Sequence, residues 1–298
     1  MTIGDIETYC LQLFNSTLRI SIPLLFAALG GFLSERSGVI NIALEGLMLV
    51  GAFASAAITY FTHSPWLGAL GGALIASFFA LFYGVFVIYF RANQIVAGVA
   101  LNMLAFGLVP LMAKVLFNVT GSSPGLSIED RFQIMPVVLI ILLIVFIHFW
   151  FQKSSFGLWA KFAGEHPMAL HSAGVSVFRV RLFSVWLSGI LAGLGGMSLS
   201  IFLSSAYSRN MTAGRGFMAL AALVFGKWKP LPTVFACLLF GFVDALQIQL
   251  QGIVLWGTEP VPVQLIQILP YVITILVLSG FVGNARPPSA LGLPFTKS

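Results

Sequence analysis

The sequence predicts an all-α, polytopic membrane protein. Of its 298 residues, 59% are hydrophobic and only 8% are charged, whereas soluble domains are about 25% charged. Apolar runs of about 18 or more residues recur along the chain, and a helix needs about that length to cross the hydrocarbon core of a membrane. These runs lack the polar–apolar alternation of transmembrane β-strands. We therefore expect a single transmembrane domain over residues 1–298.

The apolar runs define nine predicted membrane segments, at residues 17–33, 39–61, 65–90, 94–117, 134–151, 182–204, 216–226, 231–251 and 264–282. The N-terminal residues include Asp5 and Glu7 and no basic stretch. The first segment is therefore expected to remain as a span rather than to be cleaved as a signal. Segment 216–226 would be about 16 Å long as a helix, which is too short to cross a membrane alone.

Lysine and arginine residues set the predicted orientation, because short cytoplasmic loops are enriched in them. If residues 152–181 lie in the cytoplasm, most of the basic residues fall on that side: Arg36, Arg91, Lys153, Lys161, Arg179, Arg181, Lys227, Lys229, Arg286 and Lys297. The others fall outside: Arg19, Lys114, Arg131, Arg209 and Arg215. This predicts an external N-terminus and a cytoplasmic C-terminus.

Two interrupted segments occupy matching places in the two halves of the chain. A polar break at Ser34–Gly38 precedes the second segment, and another at Ser208–Gly216 precedes the short seventh segment. In the predicted topology the two breaks lie on opposite sides of the membrane. Broken helices at corresponding places in inverted halves are typical of a transport pathway at the repeat interface. The sequence therefore predicts inverted repeats.

Several polar residues fall inside the apolar runs. A carboxylate near the bilayer centre costs about 2.5–3.5 kcal/mol, so Glu45 and Asp244 must face protein or water. Asn41 and Glu45 are expected to share a helix face, as are Asp244, Gln247 and Gln251. One interpretation is interhelical hydrogen bonding that fixes the packing, and the other is a water-lined path for a polar solute. As a set, these residues favour the path: Asn41, Glu45, Asn102, Asp244, Gln247 and Gln251.

Glycine pairs predict close helix packing. Gly68 and Gly72 are four residues apart, as are Gly189 and Gly193. This spacing places both glycines of a pair on one helix face, where a second backbone can approach. The pattern is common in membrane bundles and carries little information about a substrate.

The polar stretch 152–181 contains a segment of its own. Its centre, HPMALHSAGV at 166–175, predicts a short helix along the membrane surface, with Pro167 as its first residue and Gly174 closing it. A helix there would give a second protein a place to push on the membrane part. The alternative is an ordinary solvated loop.

Signatures of catalysis and of metal binding are absent from the sequence. The pair Gly226 and Lys227 is followed by Trp228, so it does not form a phosphate-binding loop. No H-E-x-x-H, G-x-S-x-G or Cys/His cluster occurs, and no basic stripe with interleaved aromatics suggests nucleic-acid binding. We therefore expect no catalytic residue, no metal and no cofactor in this chain. A partner or a co-transported ion would have to supply energy.

Four blocks of sequence, taken together and in order, carry a family resemblance. They are SERSGVINIALEGLMLVGAF, AGEHPMALHSAGVSVFRVR with the following SGILAGLGG, GRGFMALAALVFGKWKPLP, and GNARPPSALGLPF. The chain resembles the permease subunits of bacterial ABC importers, in the group that handles ribose-type sugars, branched-chain amino acids and nucleosides. It looks most like the nucleoside or simple-sugar branch. Members of that branch typically pair a longer with a shorter permease, and this chain looks like the shorter.

The resemblance implies a permease in the bacterial inner membrane, surrounded by lipid, that carries a nucleoside or related small polar solute. An extracytoplasmic binding lipoprotein would deliver the solute, and a separate ATPase with two nucleotide-binding domains would hold ATP and magnesium. Residues 152–181 would be the element coupled to that ATPase. The positions that match the family pattern there are Gly164, Glu165, Pro167, Ala169, Ala173 and Gly174, whereas His166, Leu170 and His171 are atypical.

Two alternatives stay open at this stage. The chain is also compatible with a permease for ribose-type sugars. A secondary transporter that uses Glu45 or Asp244 as a proton or sodium site is the competing class. An intramembrane enzyme is disfavoured, because the catalytic patterns are missing.

Overall fold

The computed structural model describes residues 3–251, 268, 272 and 286–296. Over these residues the regular structure is helical, and the only β-type pairing is an isolated bridge between Ser122 and Ser208. The helices are α1 Ile3–Arg36, α2 Leu44–Thr62, α3 Pro65–Ile88, α4 Gln94–Phe117, α5 Met135–Lys153, α6 Ser155–Glu165, α7 Pro167–Ser172, α8 Val177–Met197, α9 Arg215–Phe225 and α10 Pro230–Leu250. A π-helical turn, Ser198–Leu203, continues α8.

Within the described residues, seven helices are long and apolar enough to cross a membrane. They are α1, α2, α3, α4, α5, α8 with its π-helical turn, and α10. The predicted short segment at 216–226 corresponds to α9, which has 11 residues. The predicted ninth segment, 264–282, lies outside the described residues except at positions 268 and 272. The all-helical membrane fold is thus confirmed.

Three helices, α1, α2 and α8, begin well away from the predicted segment starts. α1 begins at Ile3 rather than near residue 17, because a helix satisfies its own backbone and need not stop where the apolar run stops. α8 begins at Val177, so Arg179 and Arg181 are helical rather than part of a loop. α2 begins at Leu44, and residues 37–43 before it are not helical. The expectation that Asn41 and Glu45 share a helix face is therefore wrong.

The centre of the bundle is formed by α1, α2, α3 and α8. α3 and α8 approach closely because glycine leaves room: a Cβ on Gly193 would stand 2.8 Å from Cα of Ala73. A Cβ on Gly72 would likewise overlap the Ser55 hydroxyl of α2. The close packing predicted from the glycine pairs is confirmed. α4 and α5 lie at the periphery, where only 28% and 22% of their apolar windows are buried.

The bundle has two ends, which we name by what they carry. At the α6 end, the last residues of α1 meet α6, as in the contact between Arg36 and Glu165. At the loop end, residues 118–134 pair with residues 204–214 through bonds such as Leu126 N to Ser205 O, 2.7 Å. α9 begins near Glu45 and its following turn reaches the α6 end, where Trp228 contacts Glu35.

The stretch 152–181 is largely helical. α7 begins with Pro167 as its first residue, and Gly174 follows its end with a φ of +83°. The predicted short helix is therefore confirmed. The preceding helix α6 was not predicted. Its Ser154 cap accepts a hydrogen bond from Gly157 N at 3.0 Å, which starts α6 directly after α5.

Candidate functional site

The starts of the two interrupted helices, α2 and α9, meet at one carboxylate. Glu45, in the first turn of α2, is 1% exposed. Its Oε1 accepts a hydrogen bond from Gly214 N at 2.9 Å, and its Oε2 accepts one from Gly216 N at 2.7 Å. The first N–H groups of a helix have no partner within the helix and carry positive partial charge. Glu45 therefore acts as the N-terminal cap of α9, a role we call the Glu45 clamp.

A second side chain closes the start of α2. Oδ1 of Asn102, on α4, accepts from Gly46 N at 2.8 Å, and its Nδ2 donates to Ile42 O at 2.9 Å. The amide thereby satisfies a donor and an acceptor that the missing helical turn leaves without partners. Asn102 is 3% exposed. In the described structure both polar atoms of its side chain are thus engaged in hydrogen bonds between α4 and the start of α2.

Residues 37–43, which we call the first break, are held by further side chains. Ile40 N donates to Oε1 of Gln94 at 2.8 Å, and the hydroxyl of Tyr83 donates to Ile40 O. Asn41 is fully buried and its Nδ2 donates to Oγ of Ser188 at 2.8 Å. Its Oδ1 is buried with no hydrogen-bond partner among the described residues. The break is thus a packed, irregular element, not a solvated loop.

The remaining three path candidates lie on or after α10. Asp244 is half-buried on α10, and it interacts electrostatically with Arg215, the first residue of α9. Gln247 is half-buried one turn later. Gln251 lies beyond Leu250, the last residue of α10, in an extended conformation. The expectation that Gln251 continues the helical stripe is therefore wrong, because the helix ends first.

The structure thus brings only some of the predicted polar residues together. Glu45 ties α2 to α9 and Asn102 ties α2 to α4, while Asp244 interacts electrostatically with Arg215 at the start of α9. Among the described residues, no group of three or more His, Cys, Asp or Glu side chains is placed to hold a metal ion.

Sequence reasoning missed two buried ionisable side chains at the α6 end. Arg181 is 3% exposed. Its guanidinium donates to three carbonyl oxygens: Ser37 at 3.1 Å, Ala163 at 3.0 Å and Leu293 at 2.9 Å. Glu35 is also buried and accepts from Nε1 of Trp228 at 2.6 Å. Both residues lie at the margins of apolar runs, where the sequence pattern predicts exposed charges at the membrane interface.

Glu165, one of the predicted coupling residues, already has partners within the chain. Its Oε1 lies 3.0 Å from Nη1 of Arg36, and its Oε2 accepts from the backbone N and the hydroxyl of Ser289, each at 3.1 Å. Burial acts to raise the pKa of this carboxyl, but the hydrogen bonds and the arginine charge outweigh it. The pKa of Glu165 therefore lies below its usual range.

The other predicted coupling residues divide by exposure. Gly164 is buried and its carbonyl accepts from Ala290 N at 2.8 Å. Pro167 is half-buried at the start of α7, whereas Ala169, Ala173 and Gly174 are exposed. Their exposed neighbours on α7 are Met168 and Ser172. α7 and the two residues after it therefore present a small exposed surface, in which Met168 is the one long side chain among short ones.

A cavity of about 340 Å³ opens at the loop end, between α2, α4 and the residues before α9. It is lined by Leu49, Phe106, Pro110, Tyr207, Arg209 and Asn210. Burial raises the pKa of the Tyr207 hydroxyl to about 12, although the charge of Arg209 opposes this shift. The lining combines apolar walls with a guanidinium and an amide.

Residues 13–278 match the family described as branched-chain amino acid transport system / permease component. The guanosine ABC transporter permease protein NupQ of Bacillus subtilis is 37% identical over 95% of each chain. The nucleoside ABC transporter permease protein NupC of Lactococcus lactis is 34% identical over 97% of this chain and 98% of its own. A putative glucose ABC transporter permease protein, TsgC13 of Haloferax volcanii, is 32% identical over 91% and 92%. No solved structure gives a significant match.

Proposed function

Because this chain belongs to the family of branched-chain amino acid transport system / permease components, we propose that it is the membrane permease of an ATP-driven importer of nucleosides. The observation that carries the proposal is the likeness to the guanosine and nucleoside permeases, which extends over nearly the whole of each chain. Its helices suit an integral protein of the bacterial inner membrane. The chain itself would form the translocation path and catalyse no reaction.

The proposed partners follow from this assignment. A cytoplasmic ATPase with two nucleotide-binding domains would bind ATP and magnesium, and an extracytoplasmic lipoprotein would deliver the nucleoside. A second, longer permease would complete the membrane part. The exposed face of α7 supports a contact with the ATPase, because Ala169 and Ala173 leave a backbone surface that a groove can accept. The coupling residues would be Gly164, Glu165, Pro167, Ala169, Ala173 and Gly174.

The topology is part of the same proposal. Nine segments would cross or enter the membrane, with the N-terminus outside, the C-terminus in the cytoplasm and the halves related as inverted repeats. Two features support it. The basic residues Arg36 and Lys161 are near the α6 end, as the positive-inside rule requires of a cytoplasmic face. Irregular backbone precedes both α2 and α9, at 37–43 and 204–214.

The predicted path residues would have two different tasks. Glu45 and Asn102 would fix the ends of the interrupted helices that border the path, and Asn41 would add a polar wall. Asp244, Gln247 and Gln251 would face the solute. A nucleoside presents several hydrogen-bonding groups, which half-buried carboxylate and amide groups on α10 are suited to meet.

Uptake by the reconstituted complex tests the assignment. The permease would be placed in liposomes with its proposed ATPase and second permease, the binding protein would be added outside, and labelled guanosine, adenosine, ribose and glucose would be offered in turn. Nucleosides should accumulate only when ATP is present inside, and no proton or sodium gradient should be needed. Selective accumulation of a sugar would favour the second candidate, which the likeness to the putative glucose permease supports. Dependence on an ion gradient would favour a secondary transporter.

The path assignment needs a separate comparison. Gln247→Leu removes a hydrogen-bonding group from the proposed path while keeping a similar volume. Uptake per assembled complex should fall several-fold, with permease abundance unchanged. Gln249→Leu is the matched control, because a residue two positions along a helix points to another side. Equal uptake by the two variants would remove Gln247 from the path.

A further inference from the structure

The C-terminal residues 286–296, which we call the strap, are bound along the α6 end. On one side, Ala290 N donates to Gly164 O at 2.8 Å, and Ser289 donates from both its backbone N and its hydroxyl to Glu165. Ala290 itself is 7% exposed. The strap therefore holds the last turn of α6 through its backbone.

On its other side, the strap holds the first break. Gly292 N donates to Gly38 O at 3.1 Å, and Leu293 O accepts from the buried guanidinium of Arg181. The same guanidinium binds the carbonyls of Ser37 and Ala163. One buried cation thus joins the strap, α6 and the first break at a single point. Gly292 has a φ of +79°, and a Cβ there would stand 2.9 Å from Cδ1 of Ile40.

An aromatic residue anchors the end of the strap. Phe295 is 6% exposed, and its ring centroid lies 5.7 Å from that of His171 on α7 and 5.5 Å from that of Phe178 on α8. Aromatic pairs at such distances contribute beyond the area that they bury. The strap therefore contacts α6, α7, α8 and the first break.

The first break leads on to α9. Ile42 and Gly46, on either side of the start of α2, are bound to Asn102, and Glu45 binds the first backbone N–H groups of α9. A displacement of the first break would consequently shift the Glu45 clamp. The direct ion pair between Arg36 and Glu165 is partly exposed, and exposed ion pairs hold geometry weakly. The buried connections are supplied by Arg181, which binds Ser37 O and Ala163 O, and by the strap, which adds hydrogen bonds to Gly38 and Gly164.

We propose that the strap is a positioning element that makes α6, α7 and the first break move as one body. Movement of α7 by a cytoplasmic partner then reaches the start of α2 and, through Glu45, the start of α9. The inference rests on the proposed function, because it assigns the strap a part in coupling ATP hydrolysis to transport. The strap residues concerned are Ser289, Ala290, Gly292, Leu293 and Phe295.

The test is the number of nucleoside molecules imported per ATP hydrolysed in the reconstituted complex. Phe295→Ala removes the aromatic anchor. Gly292→Ala places a Cβ on a residue with positive φ, where it would collide with the side chain of Ile40. Both should leave ATP hydrolysis and complex assembly in place while lowering the import ratio at least about threefold. Phe295→Tyr keeps the ring and should restore the ratio. Phe78→Ala is the matched control, because Phe78 is 69% exposed on α3, away from the strap.

Displacement of the strap is measured independently. In a protein without Cys10 and Cys237, the Ala290→Cys variant should react slowly with a thiol reagent, because the site is buried, and faster when Phe295→Ala is added. Faster reaction with an unchanged import ratio would overturn the proposal. Unchanged reactivity would overturn the role of Phe295 as anchor, and Gly292→Ala would then decide whether the strap couples.

The two proposals fail in different ways. A native complex that imports no nucleoside with ATP would refute the proposed function. A native complex that imports nucleosides, with strap variants that import equally well per ATP, would refute the strap alone.

Discussion

The two irregular stretches that precede α2 and α9 are held in contrasting ways. In the first break, Val39, Asn41 and Ala43 are each fully buried, and side chains from α3, α4 and α8 bind its backbone or its side chains. The stretch 204–214, which we call the second break, has exposed residues from Ser208 to Asn210. Its start is paired with residues 121–126, and its end is held by Glu45.

The second break also carries backbone strain. Asn210 and Ala213 have positive φ angles, 58° and 44°, followed by Gly214 at 83°. A left-handed conformation costs a residue with a Cβ about 1–2 kcal/mol. Such a cost persists only where surrounding contacts impose the conformation. The comparison indicates that the first break is a fixed element, whereas the backbone just before α9 is held by fewer contacts, among them the Glu45 clamp.

The largest effect is expected where the first break meets the strap. Arg181→Met removes the donors for three buried carbonyls, and the loss should lower the free energy of unfolding by about 3–5 kcal/mol. Thermal unfolding of the purified permease in detergent measures it. Arg179→Met, at an exposed position two residues earlier, is the control and should change little. Equal stability of both variants would show that the first break does not depend on Arg181.

A smaller loss is expected from the start of α2. Asn102→Ala deletes the partners of Gly46 N and Ile42 O, and we expect a loss of about 2 kcal/mol. Asn102→Asp keeps the acceptor for Gly46 but sets a carboxylate against Ile42 O, so it should also destabilise. Hydrogen exchange at Gly46 should quicken in the alanine variant. Slow exchange there would mean that other groups hold α2.

Loss of the Glu45 clamp should have a local effect of about 1 kcal/mol, the usual size of a helix N-cap contribution. Glu45→Gln keeps one acceptor oxygen and replaces the other by an amide donor, which cannot bind a second backbone N–H. Hydrogen exchange should quicken at Gly214 and Gly216 while exchange at Gly46 stays as in the native protein. Faster exchange at all three positions would contradict the separate holding of the two breaks.

The smallest effect concerns the exposed edge of the α6 end. Because the folded pKa of Glu165 lies below its usual value, this carboxylate stabilises the fold above that usual value. The contribution is lost as the pH falls through the folded pKa. Glu165→Gln should cost about 0.5 kcal/mol or less at neutral pH, and its melting temperature should converge with that of the native protein in acid. A difference in melting temperature that stays constant across the pH range would show that it does not come from ionisation of Glu165.

Much of the fold was accessible from the sequence because its signals are local. Apolar length located α3, α4 and α5 closely, and Pro167 and Gly174 correctly framed α7. The start of α2 was misplaced because residues 39–43 are as apolar as a helix, although their backbone is bound by other side chains instead. Arg181 was likewise expected in a loop, because the carbonyl groups that bind it are distant along the chain.

The candidate site was only partly predictable. The sequence singled out Glu45 and Asn102 as polar residues inside the membrane. It left two interpretations, a path for a solute or hydrogen bonds that fix the packing, and the choice depends on which groups these side chains contact. Those partners are far away along the chain: Glu45 and Gly216 are 171 residues apart. No pattern within a window of sequence contains such a pair.

The sequence by itself determined that this protein is a bundle of membrane-spanning helices. In hydrocarbon each backbone group must be satisfied within its own segment, so apolar length is enough to predict a helix. Only the tertiary structure decided how the interrupted helices end, because there the backbone needs donors and acceptors from elsewhere. Arg181, Asn102 and Glu45 supply them, and only tertiary packing brings these side chains to the backbone groups that the interruptions leave without partners.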